Sequence, residues 1–448
     1  MHTFKLGRLI IIGTLSWLTT TSAMADISTS MPDSEDRVAQ QVEEKALRRI
    51  PPTFSDNAVV VAWSEKAYDI AFAEDQFLTF KGHRAFAMMH IAMHDALNAI
   101  VPIYRQYLSI RRHGFAHPIA AAAQAAHDVL VSQYPKQQIA LTTELNRWLA
   151  RVPEGRRKWR GIALGHQTAA AVIAARVGDG WDFQGTYAFE PQPGKYRTTP
   201  PWNGFVFQPG FRFAKPFGLK TPDQFRPAPP PLLDSTEYAA DYNEVKDFGA
   251  VNSKLRTPDQ TGYALWWMEF SEGSVIRLAR SLVDARRTHL WRAARMFALL
   301  NMSLFDGYVA TWDAKYQYNT WRPYTAIREA SDGGNPLTQP DSGWEPLSQT
   351  PPFPEYVSAH SAGCNSSFEI LRHSFGDNVS FTMKTTTAPP DMPTRSFASF
   401  SAAGAECADS RVMNGFHFRY ATRAGIVLGR EVARYILTHQ LQPRSQRR

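Results

Sequence analysis

The sequence predicts a mainly α-helical protein, and three observations support this prediction. Apolar residues recur at the three- and four-residue spacing of one buried helix face in several long stretches. Alternating apolar and polar runs, which are typical of half-buried strands, are scarce. The 448 residues are 44% hydrophobic and 20% charged. That balance indicates a globular protein with a substantial core rather than a disordered chain.

The N-terminal residues 1–25 are predicted to be a signal peptide. Lys5 and Arg8 precede an apolar run over 9–18, and the small residues of 23–25 form a cleavage site before Asp26. The apolar run is too short to cross a bilayer. We therefore expect an exported mature chain that begins at about Asp26, is periplasmic or secreted, and has no stable membrane insertion.

Helical periodicity covers much of the remaining chain. In the first stretch, Phe86, Met89, Met93 and Leu97 fall on one face. The pattern predicts helices over 84–100, 118–133, 138–151, 161–177, 274–300 and 422–441. We divide the mature chain into an N-terminal helical half, 26–190, and a C-terminal half, 232–448, which would carry the active site.

A proline-rich segment, 191–231, connects the two predicted halves. It holds eleven of the thirty prolines, which remove backbone donors and are excluded from helix interiors. Irregular segments of this length often cover a functional site. A plain surface linker is the alternative, and the sequence favours neither.

The distribution of charge indicates which class of binding partner to expect. The formal charge of +8 is spread along the chain, whereas nucleic-acid binders more often concentrate Lys and Arg in a stripe. We expect small-molecule substrates and no nucleic acid; self-association stays open.

The sequence contains two cysteines, Cys364 and Cys407. Two cysteines are too few for a zinc site, and they form either one disulfide or two buried thiols.

The first motif with chemical content is "WDAKYQYNTWRP", residues 312–323. Lys315 and Arg322 are seven residues apart, which on one continuous helix would place them within roughly 20° of each other. Pro323 is expected to end that helix. Asp313 and Glu355, beside the motifs, could tune pKa values or be ordinary solvated or salt-bridged carboxylates.

The second motif is "PPFPEYVSAHSAG", residues 351–363. Ser358 is predicted to be the N-cap of a helix that runs to residue 375. Its hydroxyl and the N–H groups of the first turn would form an anion-binding corner. His360 would lie beside that corner, within reach of an oxygen that needs a proton.

The third motif is "SRVMNGFHFRYA", residues 410–421. Arg411 adds a third cation, whose planar guanidinium suits a tetrahedral oxyanion. Gly415 allows a sharp turn, and His417 is expected in the first turn of the next helix. Its neutral imidazole would be either a nucleophile for phosphorus or a ligand of a metal oxyanion.

In this order, the three motifs (Lys-x6-Arg-Pro, Ser-x-His and Ser-Arg-x3-Gly-x-His) resemble a known signature. It is that of the vanadium-dependent haloperoxidases and the type 2 phosphatidic acid phosphatase superfamily. The flanking segments "FDGYVATWDAKYQYNTWRPYTAIR", "TPPFPEY", "TRSFASFS", "EYAADYNEVKDFGA" and "HIAMHDALNAI" resemble the bacterial haloperoxidase-like branch. The resemblance covers most of the mature chain.

The resemblance implies helical bundles, in two bundle-like halves, and a role for each site residue. His417 would be the axial ligand of vanadate and His360 the acid–base group. Lys315, Arg322, Arg411, Ser358 and the N–H of Ala359 would bind the oxyanion, while Trp312 and Phe353 would flank it.

The implied activity is a vanadate-dependent haloperoxidase-like peroxidase, an oxidoreductase that oxidises halide with hydrogen peroxide. Two alternatives stay open. One is an exported acid phosphatase that hydrolyses phosphate monoesters through phospho-His417. The other is a degenerate relative that only binds an oxyanion.

Three positions depart from the family pattern. Ala359 replaces a usual glycine and would be strained if its φ had to be positive. Val357 replaces a usual proline. Ala421 replaces the aspartate that usually follows the axial histidine by four residues and can fix its tautomer. Asp409 or Glu406 could supply that carboxylate instead.

Overall fold

The computed structural model describes residues 34–75 and 80–444, which form fourteen α-helices and one small sheet. The predicted signal peptide lies outside the described residues. Strands β1 (Phe381–Lys384) and β2 (Thr394–Phe397) pair antiparallel, with Phe381 opposite Phe397. The helices are α1 (Ser34–Leu47), α2 (Ala58–Asp75), α3 (Phe80–Ile100), α4 (Pro118–Gln133), α5 (Gln138–Leu149), α6 (Arg156–Ala175), α7 (Thr236–Phe248), α8 (Pro258–Trp266), α9 (Ser271–Ala285), α10 (Leu290–Tyr318), α11 (Pro323–Arg328), α12 (Ala359–Phe375), α13 (Phe400–Met413) and α14 (Arg419–His439).

The mainly α fold is confirmed, and most of the predicted helices are found within a few residues of their expected ends. The single helix predicted over 274–300 is wrong, because α9 and α10 are separate there. Arg287 adopts a left-handed conformation with φ 48°, and the Nδ1 of His289 accepts a hydrogen bond from the N–H of Trp291 at the start of α10. The apolar periodicity continues across this short turn because both helices face the same core.

Helix α10 lies at the centre of the fold and packs against α3, α12 and α14. Most of its residues are buried on every side of the helix. One hydrophobic core includes side chains from α3 and α4 as well as from α10, α12 and α14. The division of the chain into halves 26–190 and 232–448 stays a prediction.

Helix α14 approaches α12 closely at two glycines. A Cβ atom on Gly429 would lie 2.3 Å from the carbonyl oxygen of Ala362, and one on Gly425 would lie 2.6 Å from that of Ser358. Only hydrogen fits in these spaces, so the absence of side chains sets the distance between the two helices.

A disulfide joins α12 to α13. Cys364 and Cys407 are bonded, with their Cα atoms 6.6 Å apart, so the alternative of two free thiols is wrong. The bond cross-links residues 43 positions apart, for which chain-entropy arguments give a stabilisation of about 4 kcal/mol.

The proline-rich segment packs against the loop that leads into α12. The indole N–H of Trp202 donates to the carbonyl oxygen of Thr350 at 2.7 Å, and the N–H of Phe207 donates to that of Pro352 at 2.8 Å. The segment is therefore bound to this loop rather than extended as a free linker. Within the ranges 34–75 and 80–444, no helix is long and apolar enough to cross a membrane.

Candidate active site

Four neighbouring helices bring the three motifs to one place. Lys315 lies in the last turn of α10, Ser358 caps α12, and Arg411 lies in the last turn of α13. His417 lies just before α14. Helix α12 packs against α10, α13 and α14, so these side chains converge at the N-terminal end of α12.

Lys315 and Arg322 do not share a helix, and that prediction is wrong. Helix α10 ends at Tyr318, and Asn319 follows in the left-handed conformation with φ 54°. Arg322 is extended, and Pro323 begins α11 instead of ending α10. Proline suits the first position of a helix, because that position needs no N–H donor.

Backbone carbonyl groups hold the three cations in place. The Nζ of Lys315 donates to the carbonyl oxygens of Pro354 and Glu355, at 2.8 and 2.9 Å. Arg322 donates from Nε to Phe353 O and from Nη1 to Phe416 O. Arg411 donates from Nη1 to Trp267 O at 2.8 Å. These contacts orient the cations without neutralising them.

The cations form a buried excess of positive charge. Lys315 and Arg322 are 0% exposed, and Arg411 is 2% exposed. Burial, and secondarily the charge of Arg322, lowers the pKa of Lys315 well below its usual value and that of Arg411 to about 9. Burial lowers the pKa of Arg322 to about 10, against the opposing effect of Glu355. Among the described residues, the buried Nη2 of Arg322 has no hydrogen-bond partner.

His417 precedes α14 instead of lying in its first turn, so its expected position is corrected. The chain turns at Gly415, where φ is 78°. The Nε2 atom of His417 lies 3.1 Å from Nη1 of Arg322, and its Nδ1 lies 2.9 Å from Oε1 of Glu355. Burial, followed by the charges of the three cations, lowers the pKa of His417 well below its usual value. The imidazole is therefore neutral at neutral pH.

Glu355 is the carboxylate beside His417, and sequence reasoning did not assign it this contact. It is 0% exposed, and burial raises its pKa to about 8 although Arg322 and Lys315 oppose the shift. The suggested substitutes for the missing aspartate are wrong. Asp409 binds Tyr263 and Arg419, and Glu406 binds Trp267 and Arg395.

Ser358 is the N-cap of α12, as predicted. Its Oγ accepts hydrogen bonds from the N–H and the hydroxyl of Ser361, at 3.4 and 2.9 Å. The hydroxyl hydrogen of Ser358 is then available to donate to a further acceptor. Ala359 begins the helix in a helical conformation, so the strain considered for a positive φ does not arise.

His360 lies in the first turn of α12 and is partly buried. Its Nε2 is 3.0 Å from the carbonyl oxygen of Glu269. A carbonyl oxygen only accepts hydrogen bonds, so this nitrogen carries a hydrogen. His360 is also close enough to His417 for its charge to lower the pKa of that imidazole.

Aromatic rings form one wall of the site. The ring centroids of Trp312 and Phe353 are 5.0 Å apart, and Phe207 of the proline-rich segment packs against both rings. Lys315 and Arg322 lie 5.0 and 4.9 Å from the centroid of Phe353. The buried indole N–H of Trp312 has no partner among the described residues. Asp313, next to Trp312 in the sequence, binds Arg226.

Comparison with known families and curated proteins points to one group. Residues 295–445 match the family described as the VCPO second helical-bundle domain. The vanadium chloroperoxidase of Curvularia inaequalis is 25% identical over 377 residues, a match that covers 66% of this chain. The chain spans 61% of the length of that relative.

Three solved structures of bacterial proteins have the same fold. A vanadium-dependent iodoperoxidase superimposes with a TM-score of 0.76 at 24% identity, covering 88% of this chain and 99% of its own. The apo and holo forms of a vanadium-dependent chloroperoxidase both give a TM-score of 0.63, at 18% and 17% identity. The match to the apo form covers 79% of this chain and 93% of the chloroperoxidase chain. The match to the holo form covers 90% of this chain and 97% of the chloroperoxidase chain. Residues 295–445 therefore match the VCPO second helical-bundle domain, and the described chain shares the helical fold of bacterial vanadium-dependent haloperoxidases.

Proposed function

We propose that the protein is a vanadate-dependent haloperoxidase-like enzyme that oxidises halide with hydrogen peroxide. One observation carries the proposal: three buried cations lie around the neutral imidazole of His417, and one of them, Arg322, faces its Nε2. The unpartnered Nη2 of Arg322 and the lowered pKa values of the cations fit a site that an oxyanion would complete.

Vanadate fits this donor set. Lys315, Arg322 and Arg411 would bind its oxygens by charge-assisted hydrogen bonds. The hydroxyl of Ser358 and the N–H of Ala359, which has no intrahelical acceptor at the helix start, would add two more. The lone pair on Nε2 of His417 would be the metal ligand. Bound vanadate would supply a Lewis-acid centre that activates hydrogen peroxide for attack by halide.

The other side chains would move protons and exclude water. His360 holds its hydrogen on Nε2 against the Glu269 carbonyl. His360 would be the group that accepts a proton from peroxide and later returns it. Trp312 and Phe353 would keep water from one side of the site, and the indole N–H would donate to the halide.

An acid phosphatase is the second candidate, because the same neutral Nε2 would serve as a nucleophile for phosphorus. Phosphate is a tetrahedral oxyanion and suits the same three cations. The third alternative, a degenerate oxyanion-binding relative, predicts tight binding with neither activity.

The decisive experiment measures both activities on one preparation. Protein loaded with orthovanadate is assayed for halogenation of monochlorodimedone with peroxide and iodide, bromide or chloride. Hydrolysis of p-nitrophenyl phosphate is measured without vanadate. We expect vanadate-dependent halide oxidation that His417→Ala abolishes and that Arg434→Gln, on the outer face of α14, retains. Folded wild-type protein with no halide turnover would refute the proposal, and hydrolysis inhibited by vanadate would favour the phosphatase.

We also propose that the protein is exported. The predicted signal peptide supports this, and so does the Cys364–Cys407 disulfide, which is typical of oxidising compartments. N-terminal sequencing of protein from a periplasmic or culture fraction should begin at about Asp26. An uncleaved chain retained in the cytoplasm would contradict the proposal.

A further inference from the structure

The side chain of Glu355 bridges two donors at the start of α14. Its Oε1 accepts from Nδ1 of His417 at 2.9 Å and from the N–H of Phe418 at 3.1 Å. Both Glu355 and His417 are buried. Solvent therefore does not compete for this contact, and the ring is held from the side opposite Nε2.

The surroundings of His417 permit one tautomer. Its Nε2 faces Nη1 of Arg322 at 3.1 Å, and a guanidinium group only donates hydrogen bonds. Nε2 must therefore carry the lone pair. The ring hydrogen is then on Nδ1, where Oε1 of Glu355 accepts it. A metal-binding histidine is normally fixed by a hydrogen bond of this kind from its other nitrogen.

The backbone of Glu355 is itself anchored to the segment that carries the cations. Its carbonyl oxygen accepts from Nζ of Lys315 at 2.9 Å, and its N–H donates to the carbonyl oxygen of Thr320 at 3.0 Å. The position of the carboxylate is thereby tied to the end of α10. A shift of His417 relative to the cations would have to break one of these bonds.

The alternative carboxylates near His417 are already bound elsewhere. Asp409 pairs with Arg419, and Glu406 pairs with Arg395. Ala421, in the first turn of α14, has only a buried methyl side chain. Glu355 is the carboxylate with a hydrogen bond to His417 among the described residues.

We propose that Glu355 is the positioning residue of His417, holding the Nδ1–H tautomer and directing the Nε2 lone pair toward the bound oxyanion. This inference rests on the proposed function for the identity of the oxyanion. Contact between Glu355 and substrate or metal is not required, because it acts through the imidazole.

The experiment combines a spectroscopic readout with binding. In protein labelled with 15N-histidine and free of vanadate, we expect a hydrogen-bonded Nδ1–H proton resonance, downfield of the other imidazole protons, that disappears in His417→Ala. Glu355→Met should remove this resonance. Glu355→Gln, which replaces the carboxyl group with a carboxamide whose oxygen still accepts a hydrogen bond, should keep this resonance but shift it. Asp409→Asn is the matched control and should leave it unchanged.

Vanadate affinity, measured by titration calorimetry, is the second readout. Loss of such a hydrogen bond typically weakens metal binding about 10–100-fold, which we expect for Glu355→Met. Glu355→Gln should retain most of the affinity, and Asp409→Asn all of it. Wild-type affinity in a folded Glu355→Met variant would overturn the proposal.

The outcomes separate this inference from the proposed function. If the wild-type protein binds phosphate but not vanadate, the haloperoxidase proposal fails and the affinity comparison is made with phosphate. If the wild-type protein binds neither anion, the Nδ1–H resonance of His417 still shows whether Glu355 accepts a hydrogen bond from this nitrogen. Should Glu355→Met fail to fold, an unchanged resonance in Glu355→Gln overturns the inference.

Discussion

At the scale of single residues, the site concentrates buried positive charge around one neutral histidine. Lys315, Arg322 and Arg411 each have a lowered pKa. A cation whose pKa is lower in the folded than in the unfolded protein reduces the free energy of unfolding while it stays protonated. This destabilisation decreases as the pH rises above the pKa of the folded state. For Arg411 that window begins at about pH 9. At neutral pH, a bound oxyanion would relieve the repulsion among these three cations.

Vanadate and phosphate should therefore stabilise the folded protein. When the concentration of the anion is one hundred times its dissociation constant, binding should raise the free energy of unfolding by about 2.7 kcal/mol. This stabilisation is measured as a rise in the thermal midpoint at constant ionic strength. Arg411→Gln should lose most of this rise. Arg434→Gln, whose side chain is 42% exposed and pairs with Glu369, should retain it. Equal rises in both variants would show that the anion binds elsewhere.

At the scale of elements, the contact between α12 and α14 sets the geometry of the site. Ser358 and His360 lie at the start of α12, and His417 lies just before α14. Gly425 and Gly429 let these helices approach until their backbones touch. Small residues at this contact therefore position the oxyanion-binding corner relative to the histidine.

Gly429→Ala should weaken both the fold and oxyanion binding. The added Cβ would meet the Ala362 carbonyl at 2.3 Å, and overpacking of this kind costs about 1–3 kcal/mol. That cost should exceed the gain of about 1 kcal/mol in helix propensity. Urea unfolding and vanadate titration measure the two effects.

Gly114→Ala is the matched control, since a Cβ there meets nothing within 4 Å. It should change the free energy of unfolding by less than about 0.5 kcal/mol. A Gly429→Ala variant more stable than wild type would contradict the close approach of the two helices.

At the scale of the whole molecule, the proline-rich segment joins distant parts of the chain around the site. Phe207 packs against Trp312 and Phe353. The hydroxyl of Tyr356 donates to the carbonyl oxygen of Ala228, and Arg226 binds Asp313. The segment therefore braces the aromatic wall as well as the loop before α12.

Phe207→Ala should lower the kcat/KM for halide oxidation several-fold, because the aromatic wall loses a packed ring and admits water. The steady-state assay of vanadate-loaded protein measures this effect. Phe205→Ala is the matched control, because Phe205 is 52% exposed. If both variants kept wild-type kcat/KM, the segment would have no part in shaping the site.

Local patterns in the sequence determined the helical class, most helix positions, the Ser358 cap and the turn at Gly415. Each of these depends on neighbours within a turn or two of helix, so periodicity and capping chemistry reveal it. The motifs also indicated Lys315, Arg322, Arg411, His360 and His417 as candidate residues. Their roles stay a proposal.

The tertiary structure alone decided how these residues meet. Lys315 lies in the last turn of α10 and Arg322 lies just before α11, which begins at Pro323, so the two cations meet without sharing a helix. Glu355 reaches His417 across 62 residues of chain, a contact that depends on how α12 and α14 pack. Such a pairing has no period or spacing in the sequence, since it is set by the close approach of two helices.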